Sequence, residues 1–229
     1  LLNGCSDEQA ESHTTIAGKQ IVLSSEIDQV AVTRVNDGGF CHNDVMGVYV
    51  VDYQGKTPGE LAETGNRANN VKFTFYEEAY RWNSPYDIYW KDNQTHIDVY
   101  GYYPFGAPAN VKEYAFEVQK DQAREAANGL LGGYEASDFL WAKATDVAPT
   151  ANIIRLSFKH KMANARITLL EGTGFADSEW SALDKQVLVL NTKRNAIINL
   201  SEGTIQATGE VASTGIIPIK QEKDFRAIV

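Results

Sequence analysis

An all-β, sandwich-like fold follows from three features of the 229-residue sequence. Short runs rich in Val, Ile, Tyr and Phe recur along the chain, separated by Gly, Asn and Asp turns. Within these runs apolar and polar residues alternate, the period of a strand whose two faces meet different surroundings. Helical periodicity is scarce.

Taken in order, the first run opens at Ile21-Val22-Leu23, and residues 30–35 follow with Val30, Val32 and Arg34 on one face. Residues 45–53 form a third run. Residues 71–75 alternate strictly, and 95–103 set Ile97, Val99 and Gly101 opposite His96, Asp98 and Tyr100. Further strands are predicted at 152–158, 165–170, 186–190, 196–200, 204–207 and 215–219. Residues 121–129 combine a capping Asp, good helix formers and a closing Asn-Gly, which predicts one short helix, and 177–183 predicts another turn or two. Both read as connections between strands. Turn residues and Pro149 interrupt the apolar pattern at 146–151. The chain is therefore divided into a tether at 1–18, a β domain at 19–148 and a second at 149–229. Residues 225–229 read as a strand in mid-course, so the second domain is expected to be truncated.

At 43% hydrophobic and 22% charged residues the composition is that of a globular protein long enough to bury a real core. A net charge of −9 and a pI near 5.0 argue against nucleic acid, whose phosphates such a surface repels. The only cysteines are Cys5 and Cys41, so no disulfide framework is expected. Cys41 stands beside His42 without a third orienting group, and it reads as a small buried thiol at a strand start.

The segment Leu2-Asn3-Gly4-Cys5 looks like the end of a lipoprotein signal peptide, with Cys5 the first mature residue and the site of diacylglycerol attachment. The polar, acidic stretch at 6–12 reads as the tether behind it. No run after Cys5 approaches the length of a spanning helix, so membrane attachment is expected to be lipidic.

Catalytic signatures are not found: there is no G-x-S-x-G elbow, H-E-x-x-H helix, P-loop or dinucleotide fingerprint. His13, His42, His96 and His160 are spread singly, whereas metal sites need clustered ligands. Neither an enzyme nor a cofactor is expected. Half of the chain's aromatic residues fall between Phe73 and Phe105. Two readings stay open for them: packing within a sandwich, or a platform on which Trp82, Tyr86, Tyr89 and Trp90 stack against sugar rings.

Several segments together resemble the fimbrillin family: Asn43-Asp-Val-Met-Gly-Val-Tyr49, Ile88-Tyr-Trp90 with residues 97–105, Asp138-Phe-Leu-Trp-Ala-Lys-Ala144, Leu156-Ser-Phe-Lys-His-Lys-Met-Ala163 and Phe225-Arg-Ala-Ile-Val229. These are type V pilus subunits and related surface lipoproteins of Gram-negative anaerobes. The resemblance implies two transthyretin-like β-sandwich domains of immunoglobulin-like Greek-key type, and export to the outer membrane as a lipoprotein. It also implies assembly with other fimbrial subunits by donor-strand exchange, and adhesion to a host or microbial surface glycan or protein. In that scheme a protease cuts early in the first domain and removes the first strand, and a segment of the next subunit fills the groove. Arg34, followed by Val35, is the position that matches the cut. The family's inserting segment lies at the C-terminal end and is not identified in this sequence. The alternative reading is a surface lipoprotein that binds glycans through the aromatic segment 76–103.

Overall fold

A computed structural model of the chain describes residues 18–28, 39–221 and 223–229. Among them are thirteen strands and one short α-helix. In chain order the strands are β1 (Leu23–Ile27), β2 (Val45–Asp52), β3 (Ala68–Tyr76), β4 (Arg81–Asn83), β5 (Ile97–Tyr103), β6 (Tyr114–Glu117), β7 (Leu140–Val147), β8 (Ile154–His160) and β9 (Asn164–Thr168). Then come helix α1 (Asp177–Ala182) and strands β10 (Asn195–Asn199), β11 (Thr204–Thr208), β12 (Ile219–Gln221) and β13 (Asp224–Ile228). The predicted strand at 30–35 lies outside the described residues.

Seven strands form one sheet in the order β1-β8-β7-β5-β2-β3-β4. Its pairs are antiparallel except β1 with β8, which run parallel from Leu23↔Ile154 to Ile27↔Phe158. The sheet curls until its outermost strands meet: Trp82 Nε1 on β4 donates to Ser25 Oγ on β1 at 2.7 Å. The result is a nearly closed barrel. Alternation decides what fills it, because Met46, Val48 and Val50 of β2, Ile97, Val99 and Tyr103 of β5, and Ile154, Leu156 and Phe158 of β8 all point inward. Gly101 belongs to this inner face, and its lack of a side chain makes room: a Cβ there would sit 2.8 Å from Phe158 Cζ and 2.9 Å from Leu156 Cδ1.

Two smaller sheets, β11-β10-β6 and β12-β13-β9, complete the fold. The first covers the outer face of the barrel, where Tyr49, Tyr100 and Tyr102 pack with Phe139, Ile198 and Leu200 in a second core. Trp141 Nε1 ties the layers together by donating to the Leu200 carbonyl at 2.8 Å. A third, smaller cluster of Val118, Ile216 and Ala227 lies under the other sheet. The central strands of the barrel are thus buried on both faces.

Some of the predicted elements meet a different structure. Residues 121–129 form no helix. The short stretch carries only alanines at helical spacing, so burial cannot offset helix nucleation. Instead Gln122 is fully buried, its side chain exchanging two 2.8 Å hydrogen bonds with the main chain of Ile228, and Asn128 and Gly129 take positive φ in a tight turn between Ala127 and Leu130. Residues 186–190 provide an isolated bridge, Val189↔Ile216, rather than a strand. The Pro149 turn connects β7 to β8 within one sheet, and β6 pairs with β10 across that same point. Helix α1 does form at the second predicted site.

Candidate functional site

The segment 19–28 occupies the seam of the barrel and changes partners halfway along. At its start, Ile21 N–H donates to the Ile88 carbonyl at 2.7 Å and Trp90 N–H to the Lys19 carbonyl at 3.0 Å. From Val22 onward the partner is β8, with Ile154 N–H bonded to the Val22 carbonyl and Asp28 N–H to the Phe158 carbonyl, both at 2.8 Å. On its other side β1 faces β4, which it meets through the Trp82–Ser25 side-chain hydrogen bond.

Ile21 and Leu23 enter the core, and Ile27 packs against it. Burying each of the first two stabilises the closed barrel by roughly 1.5–3 kcal/mol. Glu26 points outward, where it accepts from Ser157 Oγ at 2.5 Å and pairs with Arg155 at 3.4 Å. Lys19 Nζ donates to the Ala151 carbonyl at 2.9 Å, and Gln20 Nε2 to Asp87 Oδ1 at 2.8 Å. The strand is held by main-chain pairing and apolar burial, with polar contacts at the rim.

Residues 33–229 match the protein family described as fimbrillin-like. The chain belongs to the fimbrillin-like family. No curated protein sequence matches it. Among solved structures it is similar to a candidate cell adhesion protein of Bacteroides uniformis, with 19% identity, a TM-score of 0.59, and coverage of 93% of this chain and 74% of that one. A candidate cell adhesion protein of Bacteroides ovatus aligns at 16% identity and TM-score 0.64, covering 92% of this chain and 77% of that one. A fimbrial protein of the same species aligns at 18% identity and TM-score 0.52, covering 91% of this chain but 41% of its own length. At these identities the likeness is one of fold.

Of the residues singled out in this fimbrillin-like chain, Cys5, Arg34 and Val35 lie outside the described residues. The four candidate stacking residues separate. Trp82 and Trp90 are core residues at 6% and 2% exposure, because β4 and the 88–90 segment turn them into the barrel. No sugar ring can stack on either, which corrects the expectation for those two. Tyr86 and Tyr89 stand outside at 73% and 45% exposure, Tyr89 donating its hydroxyl to Asp87 Oδ2 at 2.9 Å. Cys41, expected to be buried, is half-buried, and its N–H donates to the buried Asp44 carboxylate at 2.7 Å.

Among the described residues no group of three or more His, Cys, Asp and Glu side chains converges as a metal would need, and no helix is long and apolar enough to cross a membrane. The seam itself was missed in the sequence. Trp82 and Ser25 are 57 residues apart, and a three-residue strand such as β4 leaves no periodicity to read.

Proposed function

We propose that this fimbrillin-like chain is a fimbrial subunit or accessory adhesin, exported to the outer membrane as a lipoprotein through Cys5 and assembled by strand exchange at the barrel seam. The observation that carries this reading is the position of β1. It precedes Arg34 in the chain, closes the barrel through its main-chain ladder with β8, and buries Leu23, with Ile21 just before it also in the core. A cut between Arg34 and Val35 severs the covalent link between β1 and the rest of the barrel. Loss of the strand then bares an apolar groove and the main-chain edge of β8, which an extended segment of another subunit can fill.

The two transthyretin-like domains implied by the family fit a division after β8. The barrel is then the first domain, and the later sheets, which borrow β6, are the second. A glycan platform on segment 76–103 retains only Tyr86 and Tyr89 among its four stacking residues, so the seam is the better supported site.

The test is to treat the full-length, delipidated precursor with an Arg-specific protease and follow it by intact mass and an unboiled denaturing gel, with Arg34→Ala as control. A fragment beginning at Val35 together with resistant oligomers, both absent in the control, supports the reading. Complete cleavage that yields only monomer overturns it.

A further inference from the structure

The end of the barrel where β2 leaves and β5 enters carries a feature that strand exchange does not use. An open cleft of about 530 Å³ lies there, lined by Tyr53, Lys56, Pro58, Gln94, His96 and Asp146. Its volume falls in the range of small-molecule sites, roughly 300–1,000 Å³.

The cleft is built on a buried ionic floor. Between Ile97 and Val99 the register of β5 against β7 shifts, and opposite that irregularity Asp146 takes a positive φ of 54°. Such irregularities bend a strand and re-aim a side chain. Asp98, 1% exposed, holds this geometry: its Oδ1 accepts from Asp146 N–H at 3.0 Å, and its Oδ2 meets Lys143 Nζ at 3.0 Å. The buried charge is therefore neutralised by Lys143 from below, and the Asp146 side chain is left to project at the rim. There its Oδ1 lies 2.7 Å from His96 Nδ1, which orients the imidazole.

What remains open to a ligand is chemically mixed. Neither the Lys56 ammonium nor the Gln94 side-chain amide has a partner among the described residues. Together with the solvent-facing carboxylate of Asp146 they supply a cation, an amide that both donates and accepts, and an acceptor. The rings of Tyr53 and His96, 6.3 Å apart and tilted by 52°, offer a small aromatic surface between these groups. Several polar groups around a small aromatic surface suit a hydroxyl-rich ring, and an unpaired ammonium favours an anionic substituent on it.

We infer that this cleft binds a single carboxylate-bearing sugar unit, with Lys56 on the carboxylate, Gln94 and Asp146 on ring hydroxyls, and Tyr53 against the ring. The site is separate from the seam, so its failure leaves the strand-exchange reading untouched.

Two-dimensional amide NMR of the full chain, titrated with methyl β-D-glucuronide and separately with methyl β-D-glucoside at equal ionic strength, tests it. Saturable shifts at residues 55–56, 94–96 and 146 are expected with the glucuronide. Affinity for the neutral glucoside, and for the glucuronide in Lys56→Ala, should each fall by about tenfold, as the loss of a charge-assisted contact implies. Lys56 is exposed and unpaired, so this variant keeps the fold. Absence of saturable shifts with the glucuronide, equal affinity for both glycosides, or unchanged binding in Lys56→Ala would overturn the inference.

Discussion

Trp82 Nε1 donates a 2.7 Å hydrogen bond to Ser25 Oγ, joining the first and last strands of a seven-stranded sheet. The bond comes from an indole that is 6% exposed, so its N–H has little water to turn to if the acceptor is removed. Ser25→Ala should destabilise the fold by about 1–3 kcal/mol, the cost of a buried donor left without a partner. Because the bond sits at the seam, amide hydrogen exchange at residues 23–27 should accelerate more than at β5. Equal protection in variant and wild type would mean that packing alone closes the barrel.

The inner face of β5 leads to a second expectation. Gly101 faces Phe158 and Leu156 at distances too short for a Cβ. Gly101→Ala should therefore overpack the core and cost about 1–3 kcal/mol. Combining it with Phe158→Leu, which shortens the obstructing side chain, should recover part of that loss. A double-mutant cycle by urea unfolding measures the coupling. Strict additivity of the two changes would show that the strain is relieved elsewhere.

How far the sequence revealed this arrangement depends on the element. The alternation of Ile97, Val99 and Gly101 against Asp98 and Tyr100 was legible, and it sorts those residues correctly onto the two faces of β5. Hidden from it was the burial of both faces, since Tyr100 and Tyr102 pack under a sheet supplied by residues 114–117 and 195–208. Local signals misled at 121–129, where capping chemistry suggested a helix but the buried Gln122 side chain ties the segment to Ile228. The cleft was invisible for a similar reason. Tyr53, Lys56, His96 and Asp146 share no spacing, and only the irregularity held by Asp98 brings Asp146 to His96.

Acid stability should depend on Asp224, the first residue of β13. Hydrogen bonds from Thr168 Oγ1 and Arg166 Nε, both at 2.6 Å, hold its carboxyl below the usual carboxylate range. A carboxyl whose folded pKa lies below its unfolded one adds stability above the unfolded value, about pH 4, and that stability is lost as pH falls through the folded value. Asp224→Asn should flatten the fall of thermal midpoint with pH in this window, and should lower the midpoint at neutral pH. An unchanged acid slope in the variant would place the linkage on other carboxylates.

At the alkaline end the sign reverses. Burial pushes the Tyr49 phenol up to about 12, with Glu63 and Tyr114 adding to the shift, and burial raises Tyr102 further still against the opposing hydrogen bonds to Gly106 and Asn70. Both phenols belong to the core between the barrel and the β11-β10-β6 sheet, so ionising them places charge where water does not reach. Their folded pKa values exceed the unfolded value of about 10, so their contribution is complete below that pH and is lost as pH rises through the folded values. Absorbance at 295 nm should therefore show a late, steep phase of tyrosine ionisation that coincides with loss of the β-sheet circular dichroism. Tyr49→Phe keeps the ring and removes one of the titrating groups, so it should make the stability loss above about pH 10 shallower. A smooth titration with the circular dichroism intact would show that water reaches these hydroxyls without unfolding, and that the layer over the barrel opens on its own.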